Sequence, residues 1–210
     1  GLTNQPIFFA LAAFMALNVG TTAIVARSIG SGDYEQANKV AQQTFILNVV
    51  LSIIIICTTF PFAKQILNFM GAEAGVLVDG VLYAQIMFLS LGFIVISMSL
   101  TAVLRGAGDT RTPARINIIS NILVIVIGFP LIYGYFGLPA MGVIGAGIAT
   151  AIARFVSAIW VIYVLFSGNF VIQLKWREIM MWHTDLIKRV VHIGLPAAGE
   201  QFALRGGQII

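Results

Sequence analysis

Charged residues are scarce in this chain. They make up 10% of its 210 residues, and three long stretches, 1–26, 40–63 and 80–104, contain none at all. Helices of soluble proteins carry a charged face, so this pattern argues against a large soluble core. The mean hydropathy of +0.97 agrees and places the chain among membrane proteins.

The residues that build common catalytic and metal sites are also rare. The lone cysteine, Cys57, lies within an apolar stretch and excludes a disulfide inside the chain. His183 and His192 lack the spacing of metal ligands, and no Ser-His-Asp set or carboxylate pair occurs. We therefore predict neither an enzyme nor a metal site. Most of the basic residues lie in loops, so the net charge of +4 does not indicate a nucleic-acid partner.

Long apolar segments make up most of the chain. A bilayer core about 30 Å thick is crossed by about 20 apolar residues in a helix. The sequence predicts an all-α polytopic membrane protein with five full spans and a truncated sixth. The fourth and fifth are separated by a turn at Gly137-Leu138-Pro139. The predicted spans are 6–26, 44–62, 81–104, 116–136, 141–166 and one that starts near residue 190.

Basic residues alternate between the loops that connect these spans. Nine lie in the loops after the first, third and fifth spans, and only Lys64 lies in the loops between them. The positive-inside rule therefore places 27–43, 105–115 and 168–190 in the cytoplasm. We expect a multi-pass protein of a prokaryotic cell membrane whose first span runs from outside to inside.

Helix boundaries can be predicted in two of the cytoplasmic loops. Asp33 is placed to cap a helix, and Gln36 follows three residues later, as in a capping box. The segment 106–108 contains two glycines and is predicted to end another helix. Thr112 is predicted to cap the next helix, with Pro113 at its first position.

Four segments of the chain resemble the multidrug and toxic compound extrusion (MATE) family. They are similar to that family's second helix and first cytoplasmic loop, its second cytoplasmic loop, and the starts of its sixth and seventh helices. Their order and spacing match over essentially the whole chain. The spacing from Pro196 to Glu200 resembles the prokaryotic DNA-damage-inducible branch. The segments are 20–33, 104–113, 142–150 and 194–200.

The resemblance implies a twelve-helix antiporter built from two six-helix bundles that moves its substrate by alternating access. Residues 1–166 would be the N-terminal bundle without its first helix, 167–189 a cytoplasmic connector, and 190–210 the start of the C-terminal bundle. We therefore expect a fragment of a longer protein. The implied function is export of lipophilic cationic drugs or toxic metabolites in exchange for Na⁺ or H⁺. We expect a monomer in the lipid bilayer, with no cofactor besides the coupling ion.

Polar residues inside spans are costly and are therefore functional candidates. Glu200 is the strongest, because ten helical residues after Val190 place it about 15 Å deep, near the middle of the bilayer. Pro196 removes a backbone hydrogen bond one turn earlier. Glu200, with its neighbour Gln201, is a candidate for binding the coupling ion or substrate. A structural ion pair with a buried arginine is the alternative.

Two arginines also lie inside predicted spans. Arg154 is near the middle of the fifth span and Arg205 is in the sixth, whereas the first five spans contain no acidic residue. Arg154 therefore needs Glu200 or a carboxylate from a helix outside this chain. A structural ion pair or carbonyl contact is the favoured role for both arginines, and substrate binding is the alternative.

Asn117 and Asn121 lie four residues apart, on one face of the fourth span. Hydrogen bonding between helices is the favoured role, and lining of a cation or drug site is the alternative. Members of the family often carry an aspartate before the proline of this helix. Here Phe129 precedes Pro130, which removes one familiar cation ligand.

Small residues repeat every fourth position along the fifth span. They are predicted to let a neighbouring helix approach closely. They are Gly145, Ala149, Ala153 and Ser157.

Three other functions compete with drug export. A lipid-linked oligosaccharide flippase of the same superfamily would carry more cationic residues in its cavity than Arg154 and Arg205. A membrane-embedded enzyme would need a catalytic cluster, and a channel would need a filter-like segment. The sequence contains neither.

Overall fold

The regular structure of the described part of the chain is entirely helical. The computed structural model describes residues 4–69, 77–137, 139–167, 171, 172, 174, 185–194 and 196. Residues 185–194 are helical, so this helix begins before the position near residue 190 predicted for the sixth span. The helices named below are α1 Asn4–Gly30, α2 Tyr34–Thr59, α3 Ala63–Phe69, α4 Leu77–Gly106, α5 Arg111–Tyr133 and α6 Gly142–Phe166.

Four of the described helices are long and apolar enough to cross a membrane. They lie within α2, α4, α5 and α6, and α1 covers the predicted first span. The prediction of an all-α membrane fold is therefore confirmed. Helix α2 begins about ten residues before its predicted span. This first part is polar and carries the exposed ion pair between Lys39 and Glu35, with nitrogen and oxygen 2.6 Å apart.

The short helix α3 was not predicted, because its seven residues have neither the length nor the hydropathy of a span. It begins after Pro61, and Ala63 is fully buried in a small cluster with Ala84 and Phe88 of α4. Packing on α4 therefore stabilises a helix that is too short to be stable alone.

The loops after α1 and α4 have the same geometry. In the first, the N–H of Gly32 donates to the carbonyl of Ile29, and that of Asp33 to the carbonyl of Ser28. In the second, the N–H groups of Gly108 and Asp109 make the equivalent bonds to residues 105 and 104. Gly32 and Gly108 have φ of 77° and 86°, where glycine is favoured over other residues. The prediction that glycines end α4 is confirmed.

The cap predicted at Asp33 is confirmed, although the capping box is incomplete. The Asp33 side chain accepts from the Gln36 N–H at 2.9 Å. The Gln36 side chain instead accepts from the Ser28 hydroxyl at 3.1 Å. The Gln36 side chain does not accept a hydrogen bond from the Asp33 N–H, because that group already donates to the Ser28 carbonyl.

The prediction that Thr112 caps α5 is wrong. The N-cap is Thr110, which makes no side-chain cap bond. Instead the Asp109 carboxylate accepts from the N–H groups of Arg111 and Thr112, both at 3.0 Å. Burial raises the pKa of Asp109, but its interactions with Thr112, the Arg111 backbone and the Arg115 charge bring the pKa below its usual value. The ionised carboxylate is a stronger acceptor than the threonine hydroxyl.

The main apolar cluster lies at the end of the bundle that contains the two glycine loops. It joins the last turns of α1, α4 and α6 to the first turns of α2 and α5, and it includes Val190. Its fully buried side chains include Val25, Val40, Leu104 and Leu165. This packing closes the bundle at the end predicted to face the cytoplasm.

The predicted stripe of small residues is confirmed as a packing surface. Gly145, Ala149, Ala153 and Ser157 are all buried. A Cβ added at Gly145 would lie 2.7 Å from the carbonyl oxygen of Leu131 on α5. The backbones of α5 and α6 thus approach each other more closely than a larger residue would permit.

We expect Gly145→Ala to lower the thermal unfolding midpoint of the full-length protein in detergent. The added methyl group meets backbone rather than a flexible side chain, and overpacking of this kind typically costs about 1–3 kcal/mol. Gly30→Ala is the control, because nothing lies within 4 Å of a Cβ added there. Equal midpoints for the two variants would contradict close packing of α5 on α6.

Candidate functional site

Half of the predicted site residues belong to the described part of the chain. These are Arg154 on α6 and the Asn117 and Asn121 pair on α5. Glu200, Gln201 and Arg205 lie outside the described residues, so their roles remain predictions.

Arg154 lies midway along α6, on the face that points into the bundle. Ala158, Val161 and Leu165 follow it at intervals of four, seven and eleven residues, which places all four on one side of the helix. These three are buried, at 3%, 0% and 0% exposure. Arg154 itself is exposed. This side of α6 is therefore packed towards the end that contains the glycine loops, and Arg154 is exposed on it in the described part of the chain.

The contact between α5 and α6 brings Asn121 and Arg154 to the same side of this helix pair. The Ser120 hydroxyl donates to the carbonyl of Ala153 across the contact, at 3.4 Å. Asn121 directly follows Ser120 in the sequence, and Arg154 directly follows Ala153. Each residue along a helix is rotated by about 100° from the one before it. In two antiparallel helices, the residues that directly follow a contact therefore project from the same side of the helix pair. Asn117 lies one turn from Asn121 and faces that side as well.

These three side chains have no polar partner within the described part of the chain. Asn117 and Asn121 are exposed, and neither makes a hydrogen bond with the described residues. The carboxylates described there lie beyond 4.0 Å of the Arg154 guanidinium, since Lys39–Glu35 is the ion pair they form. The interhelical hydrogen bonds favoured for the asparagines are thus not made among the described helices. Their amides are available to a ligand or to the remainder of the protein.

A second polar group, which was not singled out in the sequence, lies between α1, α2 and α4. The hydroxyl oxygens of Thr21 and Thr44 are 3.1 Å apart. The side-chain nitrogen of Asn48 donates to the Ser99 hydroxyl at 2.9 Å. Asn18 is also buried, at 6% exposure. The sequence did contain an indication of this polar group, because polar residues recur at helical spacing along α1 and α2 in otherwise apolar spans.

This buried polar group contains side-chain oxygens without a hydrogen-bond donor. The Oδ1 atoms of Asn18 and Asn48 have no partner among the described residues. A buried acceptor left unpaired costs about 1–3 kcal/mol. Within membrane-spanning helices, such an oxygen needs a partner beyond the described residues, such as water, an ion or another part of the protein.

A cleft at the end predicted to face the cytoplasm is lined by basic residues. Its volume is about 720 Å³, and it lies between α1 and residues 185–194. Arg27, Arg189 and His192 contribute to it, and none of the described residues that line it is acidic. The positive charge supports the predicted cytoplasmic position of this end. Among the described residues, no cluster of His, Cys, Asp and Glu that could hold a metal ion occurs.

Comparison with known proteins identifies the family. The model of the MatE family matches residues 1–130, which is more than half of the chain. The chain belongs to the MatE family. Its members are membrane transporters rather than enzymes, in agreement with the predicted class and location.

Individual members of the MatE family match over the whole chain. The uncharacterized transporter YisQ of Bacillus subtilis is 31% identical over 211 residues, with 100% of this chain and 46% of that protein covered. A probable multidrug resistance protein NorM of Thermotoga maritima is 31% identical over 212 residues, with coverage of 100% and 45%. The crystal structure of a MATE P26A mutant superposes with a TM-score of 0.87 and 26% identity, covering 100% of this chain and 46% of that one. The chain thus spans about half the length of these MatE relatives.

Proposed function

We propose that the full-length transporter exports lipophilic cations or toxic metabolites in exchange for Na⁺ or H⁺. The observation that carries this proposal is the pair of neutral amides of Asn117 and Asn121, which are exposed one turn apart on α5 and make no hydrogen bond with the described residues. The name of the Thermotoga maritima relative, a probable multidrug resistance protein, supports drug export.

The surroundings of the asparagine pair suit a lipophilic substrate. Ile118, Ile122 and Ile125 on the same helix are exposed, at 59%, 52% and 69%. Small-molecule sites combine apolar walls with a few polar groups that fix orientation. The amides are neutral and can both donate and accept, so they can hold differently shaped molecules.

Alternating access fits the uneven packing of the bundle. The end predicted to face the cytoplasm is packed by the main apolar cluster, whereas Arg154 is exposed nearer the middle of α6. A site near the midplane that is closed on one side is the arrangement that rocking of two bundles requires. In this proposal the described helices move as one body.

The proposal is tested with the full-length protein expressed in cells that lack their own efflux pumps. We expect these cells to retain several-fold less ethidium than cells without the transporter. Collapse of the Na⁺ and H⁺ gradients with ionophores should restore retention. Unchanged retention across a broad panel of lipophilic cations would contradict drug export.

A lipid-linked oligosaccharide flippase is the second candidate, and Arg154 favours it. A fixed cation on an open interior face attracts anionic head groups and repels cationic drugs. In this case dye retention would be unchanged, whereas purified protein in vesicles would move a pyrophosphate-linked lipid between leaflets.

The orientation of the chain is part of the proposal. Ser31 and Thr110 occupy the two glycine loops, and both loops lie at the end with the basic cleft. We expect cysteines placed at these positions to react with an impermeant maleimide only in inside-out vesicles. The native Cys57 is exposed and is first replaced by serine. Labelling of Ser31→Cys in intact cells would contradict this orientation.

A further inference from the structure

Three buried polar side chains lie at one level where α1, α2 and α4 meet. Thr21 of α1 contacts Thr44 of α2, and these antiparallel helices therefore bring Asn18 level with Asn48, one turn further along. Thr22 of α1 donates to the carbonyl of Ala102 on α4 at 3.1 Å.

Helix α4 runs parallel to α1, because both helices end in equivalent glycine loops. Ser99, three residues before Ala102, is therefore level with Asn18. The hydrogen bond of 2.9 Å from Asn48 to Ser99 joins α2 to α4, so each of the three helices contacts the other two near this level. We call Asn18, Asn48 and Ser99 the oxygen triangle.

At Asn48, the oxygen triangle presents an acceptor rather than a donor. The Asn48 nitrogen donates to the Thr44 carbonyl at 2.8 Å and to the Ser99 hydroxyl, which uses both of its hydrogens. Since a carbonyl oxygen only accepts, this bond also fixes which atom of the Asn48 amide is the nitrogen. The Oδ1 atoms of Asn18 and Asn48 therefore remain without a donor among the described residues.

The neighbouring hydroxyl groups make their bonds elsewhere. Thr21 donates to the carbonyl of Leu17 at 2.8 Å. Thr22 lies within 3.1 Å of two backbone carbonyls, and Ser52 donates to the carbonyl of Asn48 at 2.6 Å. These groups are directed to the backbone, so they do not satisfy the two amide oxygens.

We propose that the oxygen triangle binds a sodium ion through Asn18 Oδ1, Asn48 Oδ1 and Ser99 Oγ. Carbonyl-type oxygens replace the hydration shell of alkali ions inside membrane proteins, and the triangle supplies two amide oxygens and one hydroxyl oxygen. Exposures of 6%, 1% and 0% shield these side chains from bulk water. No basic side chain belongs to the triangle, so it carries no full positive charge.

The bound ion would tie α1, α2 and α4 together. Each helix contributes one ligand, so loss of the ion releases contacts between three elements at once. Sodium should therefore stabilise the folded transporter in proportion to its occupancy of this site. The binding proposal does not depend on the substrate or on the direction of transport.

The experiment is a thermal unfolding titration of the purified full-length protein with NaCl, at constant ionic strength maintained by choline chloride. We expect the unfolding midpoint to rise with Na⁺ and to saturate, and radioactive ²²Na⁺ to bind with the same half-saturation. Asn18→Ala should raise the half-saturating concentration at least tenfold. Asn18→Asp should lower it, because a carboxylate attracts the ion more strongly.

A pair of serines on α4 provides the matched control. Ser99 and Ser90 are both fully buried, but among the described residues Ser90 bonds only to the Met87 carbonyl of its own helix, at 2.8 Å. Ser99→Ala should weaken the response to Na⁺, and Ser90→Ala should leave it unchanged.

Equal unfolding midpoints in Na⁺ and choline would overturn the proposal and leave bound water as the partner of the amide oxygens. An unaltered Na⁺ response in both Asn18→Ala and Ser99→Ala would place any sodium site elsewhere. Neither result bears on dye export, which is measured separately.

Discussion

Replacing Glu200 by glutamine is expected to remove at least nine-tenths of gradient-driven efflux while expression stays normal. Glutamine preserves the size and hydrogen bonding of the side chain but cannot bind and release a proton or pair with Na⁺. The residue follows Pro196 in the predicted sixth span, at an estimated depth of about 15 Å. Efflux of ethidium and the thermal unfolding midpoint should be measured on the same full-length preparations.

Two further variants sharpen the test of Glu200. Glu200→Asp retains the charge and should keep part of the activity. Glu35→Gln is the control, because Glu35 forms an exposed ion pair with Lys39, and exposed pairs contribute little to stability. If the glutamine variant loses stability together with efflux, Glu200 is a structural partner of a buried arginine. A stable variant with full efflux would refute both roles.

Arg154→Gln is expected to have the opposite effect, with stability reduced and transport per folded molecule retained. A cation near the middle of a span is costly unless it is paired, and no carboxylate among the described residues pairs with Arg154. Its partner is therefore expected in the remainder of the protein. Loss of one partner of a buried pair costs about 3–5 kcal/mol in comparable soluble cases.

The unfolding midpoint and the yield of folded protein report this effect directly. Arg154→Lys retains the charge but not the planar fork of the guanidinium, and should be intermediate. Arg111→Gln is the control, since Arg111 is exposed at the start of α5. A stable Arg154→Gln variant with lost or altered efflux would assign Arg154 to the substrate site.

The spans and their packing could be predicted because a single physical effect determines each of them. Burial of apolar residues in a bilayer determines where α4 and α6 lie, and their observed bounds differ from the predicted spans by only a few residues. The small-residue stripe from Gly145 to Ser157 was equally readable, because it depends only on helical spacing. Asn121 and Arg154 could be named as candidates, but their common side depends on the α5–α6 contact.

Features that depend on competition between neighbours were not predicted. Thr112 was a reasonable cap, but the Asp109 carboxylate accepts from the N–H groups of Arg111 and Thr112, so the helix already includes Thr112. Helix α3 depends on burial of Ala63 against α4. The oxygen triangle combines one residue from each of three helices, and no pattern along a single helix specifies which residues will meet.

Drug export in exchange for an ion is tested most directly by transport with the purified full-length protein in proteoliposomes. We expect an imposed Na⁺ or H⁺ gradient to drive ethidium against its own gradient, and Asn117→Leu combined with Asn121→Leu to reduce this transport at least fivefold without lowering the unfolding midpoint. Ethidium that stays at equilibrium under both ion gradients, while a pyrophosphate-linked lipid changes leaflets, would refute drug export.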